Sequence, residues 1–171
     1  LASALSGKFC QKQVCGPYGK RVQASYYLAE SGLGIVELAE AAGLILTSEK
    51  ERNPLYATTF GVGELLLDAI SNGAAQLCLT LGGSATNDGG IGMLKALGVR
   101  FLDENDVDAG EGGQALAKVS RIDISGMNPL LREAHIQVAC DVNNPLCGEI
   151  GSTYVYGPQK GVTENQKKKL D

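Results

Sequence analysis

Leu81-Gly82-Gly83-Ser84-Ala85-Thr86-Asn87-Asp88-Gly89-Gly90-Ile91-Gly92 decides how this chain reads. Before it, Ala74 to Thr80 has the apolar density of a buried strand. After it, Met93 to Gly98 reads as a helix with a glycine stop. A turn between strand and helix lies at the carboxyl edge of an α/β sheet, where ligands commonly bind. Unbonded N–H groups at the helix start suit an anion, and glycines let the backbone approach it without a Cβ in the way.

Working outward, the spacing predicts a strand over 75–81, a helix over 88–97 and a short strand over 99–102, together a crossover unit of the βαβ kind. Upstream, Phe9–Cys15 and Arg21–Leu28 flank the turn cluster Gly16-Pro17-Tyr18-Gly19-Lys20 and read as an antiparallel hairpin. Gly34-Ile35-Val36-Glu37 is a short strand running into a helix that ends at Gly43, a good C′ residue. Another helix starts near Thr58 or Thr59 with Val62, Leu65, Leu66 and Ala69 on one face, and stops at Asn72-Gly73.

Downstream, Asp103–Gly113 reads as an acidic, glycine-rich mobile surface loop. A short strand near Ile122 and a helical turn near Leu130 follow. Ile136–Cys140 is another apolar strand, leading into the polar run Asp141-Val142-Asn143-Asn144-Pro145. The class is α/β with a mixed sheet and helices, in one domain over 1–171. Leu1–Leu5 reads as the tail of a helix and Thr163–Asp171 as the start of one. Both ends are therefore expected to be cut from a longer polypeptide.

Bulk properties narrow the function classes. The 171 residues are 44% hydrophobic and 20% charged, the balance of a globular domain. A net charge of −4 gives no footprint for nucleic acid, and Lys167-Lys168-Lys169 reads as a solvated helix face. No stretch is long and apolar enough to span a membrane, so the expected location is cytoplasmic. The five cysteines contain no CxxC pair, and Cys78 and Cys140 read as small hydrophobes within strands.

Common catalytic devices are missing. His135 is the sole histidine, so neither Ser84 nor Cys140 fits a nucleophile–histidine arrangement. No GxxxxGK[ST] loop, GxGxxG fingerprint or protein-kinase motif set is present. Four polar clusters remain. Ser84-Ala85-Thr86-Asn87-Asp88 is first of all a capped turn, but its hydroxyls and flanking glycines Gly82 and Gly83 exceed what a cap needs. Arg52-Asn53-Pro54 with Thr58-Thr59-Phe60-Gly61 reads either as loop plus cap or as a guanidinium and N–H groups for a carboxylate or phosphate. Asp141 with Asn143 and Asn144 either shapes an Asx turn, or binds Mg²⁺, or accepts a substrate proton. Gly157-Pro158-Gln159-Lys160-Gly161 is a turn whose lysine is either solvated or set against a phosphate.

Taken in order, four segments resemble the motifs of the bacterial class I glycerate kinases. They are Glu51-Arg52-Asn53-Pro54 with Thr58-Thr59-Phe60-Gly61, Leu81 to Gly90 with Gly92-Met93-Leu94, Ala139-Cys140-Asp141-Val142-Asn143-Asn144-Pro145-Leu146, and Gly157-Pro158-Gln159-Lys160-Gly161. The resemblance runs from about Gly16 to the end. It implies ATP-dependent phosphorylation of D-glycerate to 2- or 3-phosphoglycerate, with Mg²⁺. It also implies a two-domain enzyme in which this chain is mainly the inserted mixed α/β domain and the flanking Rossmann- or flavodoxin-like domain is largely missing.

On that reading Asp88 or Asp141 orients the hydroxyl or the metal. Arg52, Ser84 and Thr86 hold a carboxylate or phosphate, supported by Asn87, Asn143 and Lys160, with Thr58, Thr59, Gly82 and Gly83 lining the site. The expected partners are D-glycerate and ATP, not nucleic acid or membrane, and a homo-oligomer is left open. Alternatives are a non-catalytic binding module for a small hydroxy acid or phosphorylated metabolite, and a structural domain whose loop only closes a turn.

Overall fold

The hairpin is the local event from which the sheet grows. In the computed structural model, which describes residues 5–171, β1 (Gly7–Cys15) and β2 (Arg21–Ala29) pair antiparallel through nine residues, from Gly7 opposite Ala29 to Cys15 opposite Arg21. The turn is closed by Gly16 N–H donating to Lys20 O at 2.7 Å and Gly19 N–H to Gly16 O at 3.1 Å. β3 (Leu33–Glu37) continues antiparallel on β2 and passes directly into the short helix α1 (Leu38–Ala42). The expected helix tail at Leu1–Leu5 falls mostly outside the described residues.

β4 (Gln76–Thr80) lies parallel to β3, and β7 (His135–Ala139) parallel to β4, so the five-stranded mixed sheet has the order β1-β2-β3-β4-β7. Between β3 and β4 the chain makes α2 (Phe60–Ser71), whose apolar stripe Val62, Leu65, Leu66 and Ala69 is fully buried. It covers the sheet face that carries Ala24, Tyr26 and Leu28 of β2 and Leu77 and Leu79 of β4, the period-two set of each strand. Tyr27, Ala29 and Ile35 form a smaller cluster on the opposite face, with Cys78 against it. Each large aliphatic of the α2 stripe contributes about 1.5–3 kcal/mol through burial.

Four expectations need correction. First, α3 (Ile91–Ala96) does not complete a βαβ crossover. The next strand, β5 (Arg100–Leu102), leaves the main sheet and pairs antiparallel with β6 (Arg121–Asp123). A six-residue helix is about 9 Å long, too short to return the chain along the sheet. The slot beside β4 is filled by β7 instead. Second, Gly43 is extended (φ −81°, ψ 154°) rather than left-handed, because it bridges Ser84. Third, β7 is exposed along its whole length, with Val138 55% accessible, and Cys140 is exposed beyond its end. Fourth, the 103–113 segment is not surface throughout: Ala109 is buried beneath β5, and Gly113 N–H donates to Pro54 O at 3.1 Å.

α2 and α3 cross closely at glycines. A Cβ on Gly92 would lie 2.2 Å from Thr58 Oγ1 and under 3 Å from the backbone nitrogens of Thr59 and Phe60. Alanine is the better helix former by about 1 kcal/mol, yet the clash is with backbone and cannot be relieved by a rotamer change. Gly92→Ala is therefore expected to lower stability by about 2 kcal/mol net, read as a lower thermal midpoint; an unchanged or raised midpoint would contradict the close crossing.

Candidate functional site

Strands β3, β4 and β7 all end at the same edge, with Glu37, Thr80 and Ala139 in register. Parallel strands leave a crevice beyond their carboxyl ends. Here the crevice is an open cavity of about 650 Å³, walled by Glu37 and Ala39 on one side and by Val138, Cys140 and Asp141 on the other. Leu81, Gly82 and Gly83 form its floor. Gly83 has φ +62°, a left-handed conformation that turns the chain sharply out of the strand. Its carbonyl accepts Leu44 N–H at 2.8 Å, which fastens the loop to the segment after α1.

Beyond Gly83 the loop turns inward, and the candidate residues separate into groups. Ser84 meets Lys160: the lysine Nζ donates to Ser84 Oγ at 2.8 Å and to Thr86 O at 2.7 Å. Burial lowers the Lys160 pKa to about 8, against the pull of the Asp88 carboxylate, which favours the charged form. No carboxylate of the described residues lies within 4 Å of this ammonium. Arg52 stands on the same side. Its guanidinium donates to Gln159 O at 3.1 Å and to Leu44 O at 3.5 Å, while its buried Nε has no partner. Two cations are thus held by neutral oxygens, and the Glu49 carboxylate reaches Arg52 only at 3.8 Å from an exposed position.

Asp88 has a different part. It is 1% exposed, and protein donors surround its carboxylate. Oδ2 accepts from Thr59 N–H at 2.9 Å, Thr59 Oγ1–H at 2.8 Å and Gly92 N–H at 3.2 Å; Oδ1 accepts from Gly90 N–H at 3.1 Å. Thr59 Oγ1 in turn accepts from Met93 N–H at 2.9 Å. One buried carboxylate therefore answers the amino-terminal N–H groups of both α2 and α3, where the helix dipole favours a negative charge. Thr58 and Thr59 are buried in this junction, and the N–H groups expected to meet a ligand there are already taken: Thr58 N–H by Pro17 O, Thr59 N–H by Asp88 and Phe60 N–H by Thr58 Oγ1. Asn87 donates from Nδ2 at 3.1 Å to Oγ1 of Thr153, a buried residue of α4 (Ser152–Tyr156).

The structure therefore brings Gly82, Gly83 and Asp141 to the cavity, and Arg52, Ser84, the Thr86 carbonyl and Lys160 to a cationic corner that is joined to it through Gly83, next to Ser84 and bonded to Leu44. Asp88, Thr58 and Thr59 lie beneath, and Asn143 is exposed in the loop after β7. Glu37 was missed. It closes β3 as Asp141 follows β7, and that likeness of an acid behind an apolar strand was the available signal.

Set beside known proteins, residues 1–171 match the family model described as the glycerate kinase family. The chain belongs to the glycerate kinase family. It is 46% identical over 172 residues to the glycerate kinase of Haemophilus influenzae, covering all of this chain and 46% of that protein. To the glycerate 2-kinase of Escherichia coli it is 43% identical, covering all of this chain and 45% of the relative. A crystal structure of a putative glycerate kinase 2 from Salmonella typhimurium LT2 superposes with TM-score 0.93 at 43% identity, over 99% of this chain and 45% of that one. The chain thus spans under half the length of the relatives it matches. For this family segment, no helix among the described residues is long and apolar enough to cross a membrane.

Whether the glycerate kinase segment suits a magnesium ion follows from its donor set. No group of three or more metal-binding side chains occurs among the described residues. The cavity offers only the Glu37 and Asp141 carboxylates. They stand on opposite walls and could not share one ion, so Asp141 alone would hold it, with the remaining ligands from substrate phosphates and water.

Proposed function

We propose that this chain is part of an enzyme that transfers the γ-phosphoryl group of ATP to a hydroxyl of D-glycerate, and that it supplies one wall of the active site as the inserted domain of a two-domain kinase. The observation that carries the reading is the buried Lys160 ammonium, aimed into the glycine loop with only neutral acceptors. A buried cation with no counter-charge in direct contact is costly, and an anionic ligand offsets that cost. Arg52 adds a fork of donors suited to a carboxylate or phosphate.

Within this reading Lys160, Arg52 and Ser84 bind the anionic end of the ligand, and Asp141 serves the magnesium–nucleotide at the cavity. Asp88 and Thr59 act at one remove, by holding the loop at the junction of two helix starts. Bound magnesium would neutralise charge on the phosphates being transferred. Asn87 ties the loop to Thr153, exposed Asn143 is free to meet a ligand beyond β7, and Gly82 and Gly83 leave room for the ligand against the backbone.

Phosphoryl transfer relies on positioning and charge stabilisation from several directions, and this chain carries one side of the cleft. The complete gene product is therefore expected to consume ATP only when D-glycerate is present, with ³¹P NMR showing a phosphoglycerate. The 171-residue chain alone is expected to turn over at least about 10³-fold more slowly. Absence of glycerate-dependent ATP consumption by the complete gene product would remove the reading; full activity of the 171 residues alone would remove the shared-site part of it.

A further inference from the structure

We propose that Glu37 is a catalytic residue: its carboxylate contacts the hydroxyl of the substrate and accepts its proton during phosphoryl transfer. This rests on the kinase reading above and adds a residue to it.

The acids near the carboxyl edge of the sheet differ in what they bond. Asp88 accepts four hydrogen bonds and is closed to any ligand. Glu40, three residues past Glu37, accepts from both the N–H and the hydroxyl of Ser25 at 2.8 Å and faces the hairpin. Glu51 is bonded to Ser48 in its own turn. Two carboxylates remain on the cavity, Glu37 and Asp141, and neither takes a hydrogen bond or ion pair from a described residue.

Glu37 occupies the amino-terminal cap position of α1, where a carboxylate could turn back and bond the helix N–H groups. It makes no such bond. Its strand is buried over Gly34, Ile35 and Val36 and becomes exposed only at Glu37, where the cavity opens. The side chain is thus carried to the wall by a buried strand and given no structural partner there.

Position separates the two acids. Glu37 stands on the α1 side, which Gly83 faces: a Cβ there would lie 3.7 Å from the Ala39 Cβ. That side continues through Leu44 to Arg52, and through Ser84 to Lys160. Asp141 stands across the sheet on the β7 side, two strand spacings or about 10 Å away at the backbone. On this proposal the substrate carboxylate is held from the Arg52 and Lys160 side of Gly83, its hydroxyls point toward Glu37 on the cavity wall, and Asp141 is left toward the nucleotide.

The step balances without a further reactant. The substrate O–H bond breaks and its proton passes to the Glu37 carboxylate, while the oxygen bonds the γ-phosphorus of ATP. The bond from that phosphorus to the bridging oxygen breaks, its electron pair leaving with ADP. Glu37 then releases the proton to water.

The test is a steady-state comparison in the complete gene product, parent against Glu37→Gln and Glu37→Asp. The expected result for Glu37→Gln is a kcat at least 100-fold lower, within the range general bases contribute, with the KM for D-glycerate within about threefold of the parent. Glu37→Asp, which keeps the carboxylate, is expected to fall between. The exposed site carries no bonds, so both variants should unfold at the parent's midpoint. A Glu37→Gln kcat within threefold of the parent overturns the proposal and leaves the glycerate kinase reading standing. So does a loss confined to KM, or one restored by raised magnesium, which would make Glu37 a binding group or an ion ligand. A parent without glycerate-dependent ATP consumption overturns both.

Discussion

Asp88→Ala is expected to lower the stability of the fold by about 4 kcal/mol, one of the largest losses available from a single side chain here. The carboxylate accepts backbone N–H groups from Thr59, Gly90 and Gly92 and the Thr59 hydroxyl, at 2.8 to 3.2 Å. Truncation leaves three backbone donors without an acceptor in a site closed to solvent, each costing about 1–3 kcal/mol. It also removes the charge that complements two helix starts at once. Asp88→Asn should cost about half as much, since the amide oxygen can keep the Thr59 and Gly92 bonds while only the Gly90 contact is lost. Guanidinium unfolding reads both as a lower midpoint at constant slope. The asparagine variant also separates support from chemistry. Folded Asp88→Asn should keep activity within about tenfold of the parent, whereas a group touching the reacting atoms would lose about 10²–10⁴.

That junction shows where the sequence was legible and where it was not. The strand–turn–helix around Gly82–Gly92, the hairpin and the α2 stripe all rest on local periodicity and turn chemistry, and all are present. The capping part of Asp88 was legible for the same reason. Its second helix was not: Thr59 lies 29 residues away, and nothing in local spacing says which helix start will dock there. Lys160 is a similar case. As part of a turn it reads as solvated or ligand-facing, and only the tertiary fold carries it 76 residues back to Ser84.

The corrections share a cause. Periodicity reports which face of a strand favours burial, not which strand lies beside it or what covers it. Ile136 and Val138 of β7 alternate like core residues, yet they remain 41% and 55% exposed. β5 follows α3 closely in sequence and still pairs elsewhere, because β7, 59 residues past β4 in register, takes the neighbouring slot. Glu37 was passed over because a single acid before a helix reads as a cap. Only the missing cap bond and the cavity beside it set Glu37 apart.

Lys160→Met should reduce kcat/KM for D-glycerate by about 10²–10³ in the complete gene product, the scale of a lost charge-stabilising donor, while making the fold less sensitive to pH. The two effects have one origin. Burial holds the Lys160 pKa at about 8, below the ordinary 10.5. Between those values the unfolded chain binds the proton and the folded chain does not, so stability rises with pH across that window. A depression of this size corresponds to roughly 3 kcal/mol. The stability of the parent minus that of Lys160→Met is therefore expected to grow by that order between pH 7.5 and 10.5, with other titrations cancelling in the difference. A flat difference would show that the ammonium is not desolvated as the geometry requires. Activity runs the opposite way. The charged form binds the anion, so kcat/KM should fall as pH rises through about 8 in the parent, and that limb should be absent from the variant. Lys160→Arg should not restore activity, because the gap between Ser84 Oγ and Thr86 O fits a compact ammonium and not a planar fork. The cation that weakens the fold below pH 8 is thus the group that an anionic substrate would stabilise.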